Sequence, residues 1–175
     1  MNFSFKEWIL KAPALKPDIP ARFIHGGTVT LFHYTNLPPN RTGNVILHPK
    51  KASENIHLYS RNDYQVASFP RLFFYLNPED VHKDMGVSGN HLYEVEVPVT
   101  DIYPMEKDPE NIKEKAVTDG RLNFHYYMYL LKEEGYKGGY YNTGLGMGKS
   151  HMDIVVLWVP IRATIVPEEL AAKRA

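Results

Sequence analysis

The chain has 175 residues, of which 43% are apolar and 13% aromatic, so it is long and apolar enough for one packed domain. Its 20 basic and 20 acidic side chains cancel, which argues against non-specific electrostatic binding to nucleic acid or to anionic lipid. The chain has no cysteine, which excludes disulfides, thiolate nucleophiles and Cys-ligated zinc.

The first 27 residues are expected to form an N-terminal appendage, with a short amphipathic helix over residues 3–10. Glu7 interrupts the apolar part, and a signal peptide needs roughly 7 to 15 consecutive apolar residues, so no secretory signal is expected. No segment reaches the roughly 18 apolar residues of a membrane span. We therefore expect a cytoplasmic protein without a membrane partner. An effector delivered by a non-classical secretion route would have the same sequence features.

Three strands are predicted in the first half of the domain, over residues 28–34 (TVTLFHY), 71–76 (RLFFYL) and 91–97 (HLYEVEV). Apolar and polar side chains alternate in the first and third, which is typical of a half-buried strand. Asn77 and Pro78 end the second strand, and Pro98 ends the third. Residues 53–60 could form a short helix, and Pro78 followed by two acidic residues could begin another.

Two helices are predicted in the second half, over residues 111–117 and 122–134, and two strands, over residues 136–141 (YKGGYY) and 154–161 (IVVLWVPI). Gly135 provides a stop for the second helix. Residues 167–175 form a polar tail, which leaves residues 28–166 as the domain. Helices and strands do not alternate strictly. This favours an α+β fold, a single domain with a mainly antiparallel, split or sandwiched sheet and two or three helices.

The glycine-rich segment 143–150 (TGLGMGKS) ends in Gly-Lys-Ser, as a P-loop does. Thr143 stands where the P-loop requires glycine, and a strand rather than a helix follows, so we predict a loop between two strands. The eight histidines form no HExxH motif, and no metal site is predicted. The sequence has no GxSxG nucleophile motif, and its tyrosines follow no RNP-like pattern, so nucleic acid is not an expected partner.

Five short segments occur in an order that points to a family: LFHYT, RLFFYLNPED, LYEVEVP, EEGYKGGYY and DIVVLW. In this order the chain resembles the ADP-ribosyltransferase fold of the diphtheria-toxin and poly(ADP-ribose) polymerase type, including its bacterial and phage-associated members. The similarity spans roughly residues 29–160. It implies that NAD is the substrate and that ADP-ribose is transferred to a macromolecular target or to water.

The resemblance also implies which residues would surround the nicotinamide ribose. His33 takes the place of the ribose-binding histidine and Thr35 that of the threonine, while Tyr34 replaces a glycine whose backbone approaches nicotinamide. Tyr75 takes the place of the aromatic side chain that stacks on nicotinamide. Phe74 is the alternative, because a slip of one residue exchanges the two faces of a strand.

Asp153 takes the acidic position in the resemblance. An acidic side chain near the ribose stabilises the oxocarbenium-like transition state that forms as nicotinamide leaves. Aspartate is shorter than the family's glutamate by one methylene, and His151 stands where arginine-modifying members carry a second acidic residue or glutamine. Residues 144–148 would then form an active-site flap or a target-recognition loop. The alternative is a non-catalytic binding domain, on this scaffold or on an unrelated α+β one, with Tyr34 and Asp153 as signs of lost chemistry.

Overall fold

The structure, a computed structural model, describes residues 18–49, 69–78, 89–142 and 153–167. Eleven strands lie in these segments: β1 (Ile24–His25), β2 (Thr28–Thr35), β3 (Asn44–Leu47), β4 (Leu72–Tyr75), β5 (His91–Pro98), β6 (Ile102–Pro104), β7 (Val117–Thr118), β8 (Arg121–Leu122), β9 (Gly138–Tyr141), β10 (Ile154–Leu157) and β11 (Ile161–Ile165). Two α-helices, α1 (Ile112–Lys115) and α2 (Phe124–Glu133), and two 3-10 turns, Ala21–Phe23 and Val99–Asp101, complete the described elements.

Nine of these strands form one sheet in the order β3-β11-β5-β2-β4-β10-β9-β6, and β1 pairs with β2. Of its neighbouring pairs only β6 and β9 run parallel; the others are antiparallel. The prediction of an α+β fold with a mainly antiparallel sheet is therefore confirmed. The small strands β7 and β8 form a separate hairpin.

The sheet divides between β2 and β4. Strand β2 pairs with β5 along its whole length, from Thr28 opposite Pro98 to Thr35 opposite His91. Its pairing with β4 is limited to Phe32 opposite Tyr75. Two halves, β3-β11-β5-β2 and β4-β10-β9-β6, thus meet at a narrow junction.

One face of the sheet, the inner face, carries the larger apolar cluster, in which side chains of both halves pack together. It comprises fifteen buried residues, among them Leu31, Phe74, Tyr93, Tyr140 and Val155. The opposite face, the helix face, packs against the two helices. Its cluster includes Tyr75, Ile154, Val156, Tyr127 and Leu131.

The helix α2 follows the periodicity of its sequence. Asn123 caps its start, because the Asn123 side chain accepts a hydrogen bond from the Tyr126 backbone N–H at 3.0 Å. Tyr127, Met128 and Leu131 are buried against the sheet. Gly135 follows with a φ of +95°, a conformation that glycine adopts without strain, and the helix ends there.

The predicted strand over residues 154–161 was wrong in its extent, because the chain leaves β10 at Trp158 and starts β11 at Ile161. The indole N–H of Trp158 donates to the Tyr136 carbonyl at 2.6 Å, and Pro160 supplies no backbone N–H for a ladder. Strand β11 then pairs with β3 and β5 in the other half of the sheet. The predictions for residues 3–10, 53–60, 144–148 and 168–175 lie outside the described residues.

Candidate functional site

Three strands that are far apart in the sequence become consecutive neighbours in the sheet. His33 lies on β2, Phe74 and Tyr75 lie on β4, and Asp153 directly precedes β10. The sheet order places β4 between β2 and β10. The segments that carry the predicted site residues are therefore adjacent.

The register assigns these side chains to faces. Tyr75 lies opposite Phe32 and opposite Ile154, and paired residues share a face while successive residues alternate. Tyr75 therefore points to the helix face. His33, Phe74 and Asp153 point to the inner face, and the rings of His33 and Phe74 are 5.2 Å apart between centroids. Phe74 and Tyr75 are both buried, with exposed fractions of 0% and 1%.

The carboxylate of Asp153 is held from one side. Its Oδ1 accepts a hydrogen bond from the Tyr140 hydroxyl at 2.7 Å and another from Asn142 Nδ2 at 2.7 Å. Its backbone carbonyl accepts from the Leu76 N–H at 3.2 Å. Both of these side-chain hydrogen bonds end on Oδ1, and within the described segments none ends on Oδ2.

Both side-chain donors to Asp153 are neutral. Burial raises the pKa of Tyr140 well above its ordinary value, and the hydrogen bond to the Asp153 carboxylate raises the pKa further. The phenol is therefore a donor at every physiological pH. In the described part of the chain, ion pairs join Lys107 to Asp18 and Lys137 to Asp101, and none involves Asp153.

His33 occupies the junction between the two halves of the sheet. Its Nδ1 lies 2.7 Å from the carbonyl oxygen of Phe73. Because a carbonyl only accepts, Nδ1 carries the proton. Burial lowers the pKa of His33, against a smaller opposing effect of this hydrogen bond, so the ring is neutral near pH 7 and Nε2 is an acceptor.

Tyr34 and Thr35 follow at the end of β2. Tyr34 is half-buried and, by alternation, lies on the helix face, away from His33. Thr35 lies on the same face as His33, and its Oγ1 accepts a weak hydrogen bond from the Leu37 N–H at 3.3 Å. Gly89 packs directly on the backbone of Thr35.

His33 and Asp153 lie on the inner face, in segments that are separated by β4. His33 and Asp153 are separated by two strand spacings and two residue steps, so their Cα atoms are about 12 Å apart. Phe74 lies between them beneath the same face.

Within the described segments, no group of three or more His, Asp or Glu side chains could hold a metal ion. No helix in those segments is long and apolar enough to cross a membrane. Comparison of the chain with protein-family models, curated proteins and solved structures gives no match.

Sequence reasoning missed the residues that hold Asp153. Tyr140, Asn142 and Glu106 lie on other strands or turns, and Asn142 is linked to Glu106 by a backbone hydrogen bond of 3.0 Å from its N–H to Glu106 Oε1. A weak signal was present in the sequence, since an alternating strand carries Tyr140 and Asn142 on one face. The pairing of that strand with β10 had no sequence signal.

Proposed function

We propose that this chain is an NAD-binding domain of the ADP-ribosyltransferase type, which breaks the bond between nicotinamide and ribose. One observation carries the proposal. Asp153, with one carboxylate oxygen held by two neutral donors, shares a sheet face with a neutral His33 on a nearby strand.

The chemistry needs a negative charge beside the ribose. As the C1′–N bond breaks, its electron pair leaves with nicotinamide and positive charge develops on the ribose. The carboxylate of Asp153 stabilises this charge through Oδ2. Because Tyr140 and Asn142 are neutral donors, they orient the carboxylate without cancelling its charge.

His33 and Thr35 bind the ribose in this proposal. With its proton on Nδ1, His33 offers the Nε2 lone pair to a ribose hydroxyl. Thr35 lies on the same face and keeps a hydroxyl proton to donate, since the Leu37 N–H uses it only as an acceptor. The acceptor of ADP-ribose is water or a macromolecular side chain, whose oxygen or nitrogen bonds to C1′ and gives up a proton.

A second candidate function is a non-catalytic binding domain, and the burial of the two predicted stacking residues favours it. Phe74 and Tyr75 are 0% and 1% exposed, so neither presents an open ring face to nicotinamide. Stacking would contribute about 0.5 to 1.5 kcal/mol beyond the buried area. A domain without it could bind a nucleotide and leave its glycosidic bond intact.

The test combines binding and turnover on the full chain. Calorimetric titration measures NAD affinity, and chromatography of the free base measures nicotinamide release. We expect wild type to bind NAD and to release nicotinamide, and Asp153→Asn to bind NAD but to lose release by at least about 100-fold. Asp119→Asn is the matched control, because Asp119 is exposed and its φ of +53° suits asparagine.

Three outcomes separate the candidates. NAD binding with nicotinamide release that depends on Asp153 supports the transferase. NAD binding without release supports the binding domain. The absence of both NAD binding and nicotinamide release overturns both candidates.

A further inference from the structure

Asp153 is the end of a hydrogen-bond chain that crosses three strands. From the turn after β6, Glu106 Oε1 accepts the backbone N–H of Asn142 at 3.0 Å. From the end of β9, Asn142 Nδ2 donates to Asp153 Oδ1 at 2.7 Å, and the Tyr140 hydroxyl donates to the same oxygen at 2.7 Å. Strands β6, β9 and β10 are neighbours in the sheet.

The backbone of Tyr140 is held by a strand on each side. Tyr140 pairs with Val155 of β10 and with Pro104 of β6. Its carbonyl also accepts the Met105 N–H at 3.0 Å. The side chain of Tyr140 is 4% exposed and packs in the inner-face cluster, so the position of its hydroxyl is fixed.

We propose that Tyr140 and Asn142 are positioning residues for Asp153, and that Glu106 holds Asn142 in place for this purpose. The inference rests on the proposed function, because it assigns the orientation of the carboxylate that faces the ribose. Two donors on Oδ1 restrict rotation of the carboxylate about its last bond. Oδ2 is thereby aimed at the position where positive charge develops.

Positioning matters more for an aspartate than for a longer acid. A short side chain has few rotatable bonds through which the position of its carboxylate can adjust. A displacement of the carboxylate by about 1 Å can cost roughly 100-fold in rate. The donors act on the carboxylate and leave NAD itself untouched. Their loss should therefore lower kcat while KM for NAD changes little.

The first experiment compares single substitutions by steady-state nicotinamide release. We expect Tyr140→Phe, which removes only the hydroxyl, and Asn142→Ala to lower kcat about 10- to 100-fold, with KM within about threefold of wild type. Tyr129→Phe is the matched control, because its ring is 45% exposed on α2, and it should retain wild-type kcat.

The second experiment uses Glu106, an exposed residue whose variants should fold normally. Glu106→Ala removes the acceptor for the Asn142 N–H and should lower kcat by about threefold to tenfold. Glu106→Gln keeps an oxygen at that point and should restore most of the loss. A role of the carboxylate charge itself would instead make the glutamine variant as slow as the alanine variant.

A third measurement separates positioning from a general structural effect. In an Asp153→Asn background, Tyr140→Phe should lower the residual rate by less than about twofold, since the hydroxyl acts through Asp153. A further full loss of rate in that background overturns the inference. So does wild-type kcat in both Tyr140→Phe and Asn142→Ala. These two results, in a wild type that releases nicotinamide, overturn the inference and leave the proposed function standing. A wild type that releases no nicotinamide overturns the proposed function itself, so the two failures are distinguishable.

Discussion

Substitution of the buried Asp108 should destabilise the fold much more than substitution of the half-buried Asp153. Asp108 is 7% exposed, and its Oδ1 accepts from the Tyr103 hydroxyl at 2.7 Å and from the Tyr127 hydroxyl at 3.3 Å. Its two carboxylate oxygens also accept the first free backbone N–H groups of α1, from Ile112 at 3.1 Å and from Lys113 at 2.8 Å. Both oxygens of this carboxylate therefore accept hydrogen bonds that stabilise the fold.

Removing it by Asp108→Ala leaves the buried Tyr103 phenol and two helix N–H groups without this acceptor, while the buried Tyr127 phenol keeps the Met105 carbonyl at 3.3 Å. Loss of a helix cap alone costs about 0.5 to 2 kcal/mol. A hydrogen bond to a charged group contributes about 1.5 to 3 kcal/mol, and the contributions around one carboxylate do not add fully. We therefore expect a loss of about 3 to 5 kcal/mol in the free energy of unfolding. For a chain of this size the melting temperature should fall by roughly 10 °C.

Urea unfolding followed by tryptophan fluorescence and by far-ultraviolet circular dichroism measures this loss. The midpoint should fall while the slope m stays constant, because the surface exposed on unfolding is unchanged. Asp153→Asn is the contrasting variant. Asparagine keeps an oxygen for Tyr140 and Asn142, so its cost should stay below about 1 kcal/mol. The reasoning is refuted if Asp108→Ala costs under about 1 kcal/mol, or if Asp153→Asn costs as much as Asp108→Ala.

Three further predictions concern the site and its supporting strands. Gly89→Ala would overlap the Thr35 backbone nitrogen and place Cβ 2.8 Å from the Thr35 Cα, so it should displace the end of β2 and weaken NAD affinity by calorimetry. Burial lowers the pKa of His33 below 6.5, so its contribution to stability is complete above that value and is lost as the pH falls through it. The difference in unfolding free energy between wild type and His33→Gln should shrink accordingly when urea titrations at about pH 7.5 and about pH 5.5 are compared. Gly138→Ala would meet the Val156 carbonyl oxygen and should cost about 1 to 3 kcal/mol in the same assay, whereas equal stability would contradict the close approach of β9 and β10.

Much of the fold could be predicted because its signals are local. The alternation around Val29 and Leu31 identified β2, and the helical spacing around Tyr127 identified α2. The break between β10 and β11 was not predicted, because a continuous apolar segment indicates a single strand when the partner strands are unknown. The chain turns at Trp158 because β11 pairs with β3 and β5 in the other half of the sheet, which the sequence does not indicate.

For the candidate site, the sequence predicts strands that carry His33 and Tyr75 but not the contacts between their side chains. Sequence spacing cannot tell which of Phe74 and Tyr75 shares a face with His33, because a shift of one residue exchanges them. The register decides it, since Tyr75 lies opposite Phe32 and so on the other face from His33. The partners of Asp153 depend equally on the pairing of β9 with β10, which no local pattern encodes.

The narrow junction between the sheet halves explains the hydrogen bonding of His33. Beyond the pair of Phe32 with Tyr75, β2 continues its ladder with β5 alone, and the carbonyl of Phe73 needs a donor from elsewhere. The His33 Nδ1–H supplies it at 2.7 Å. One ring nitrogen therefore closes the junction and fixes the tautomer. The other is left as an acceptor at the point where the two halves separate, on the face that Asp153 shares.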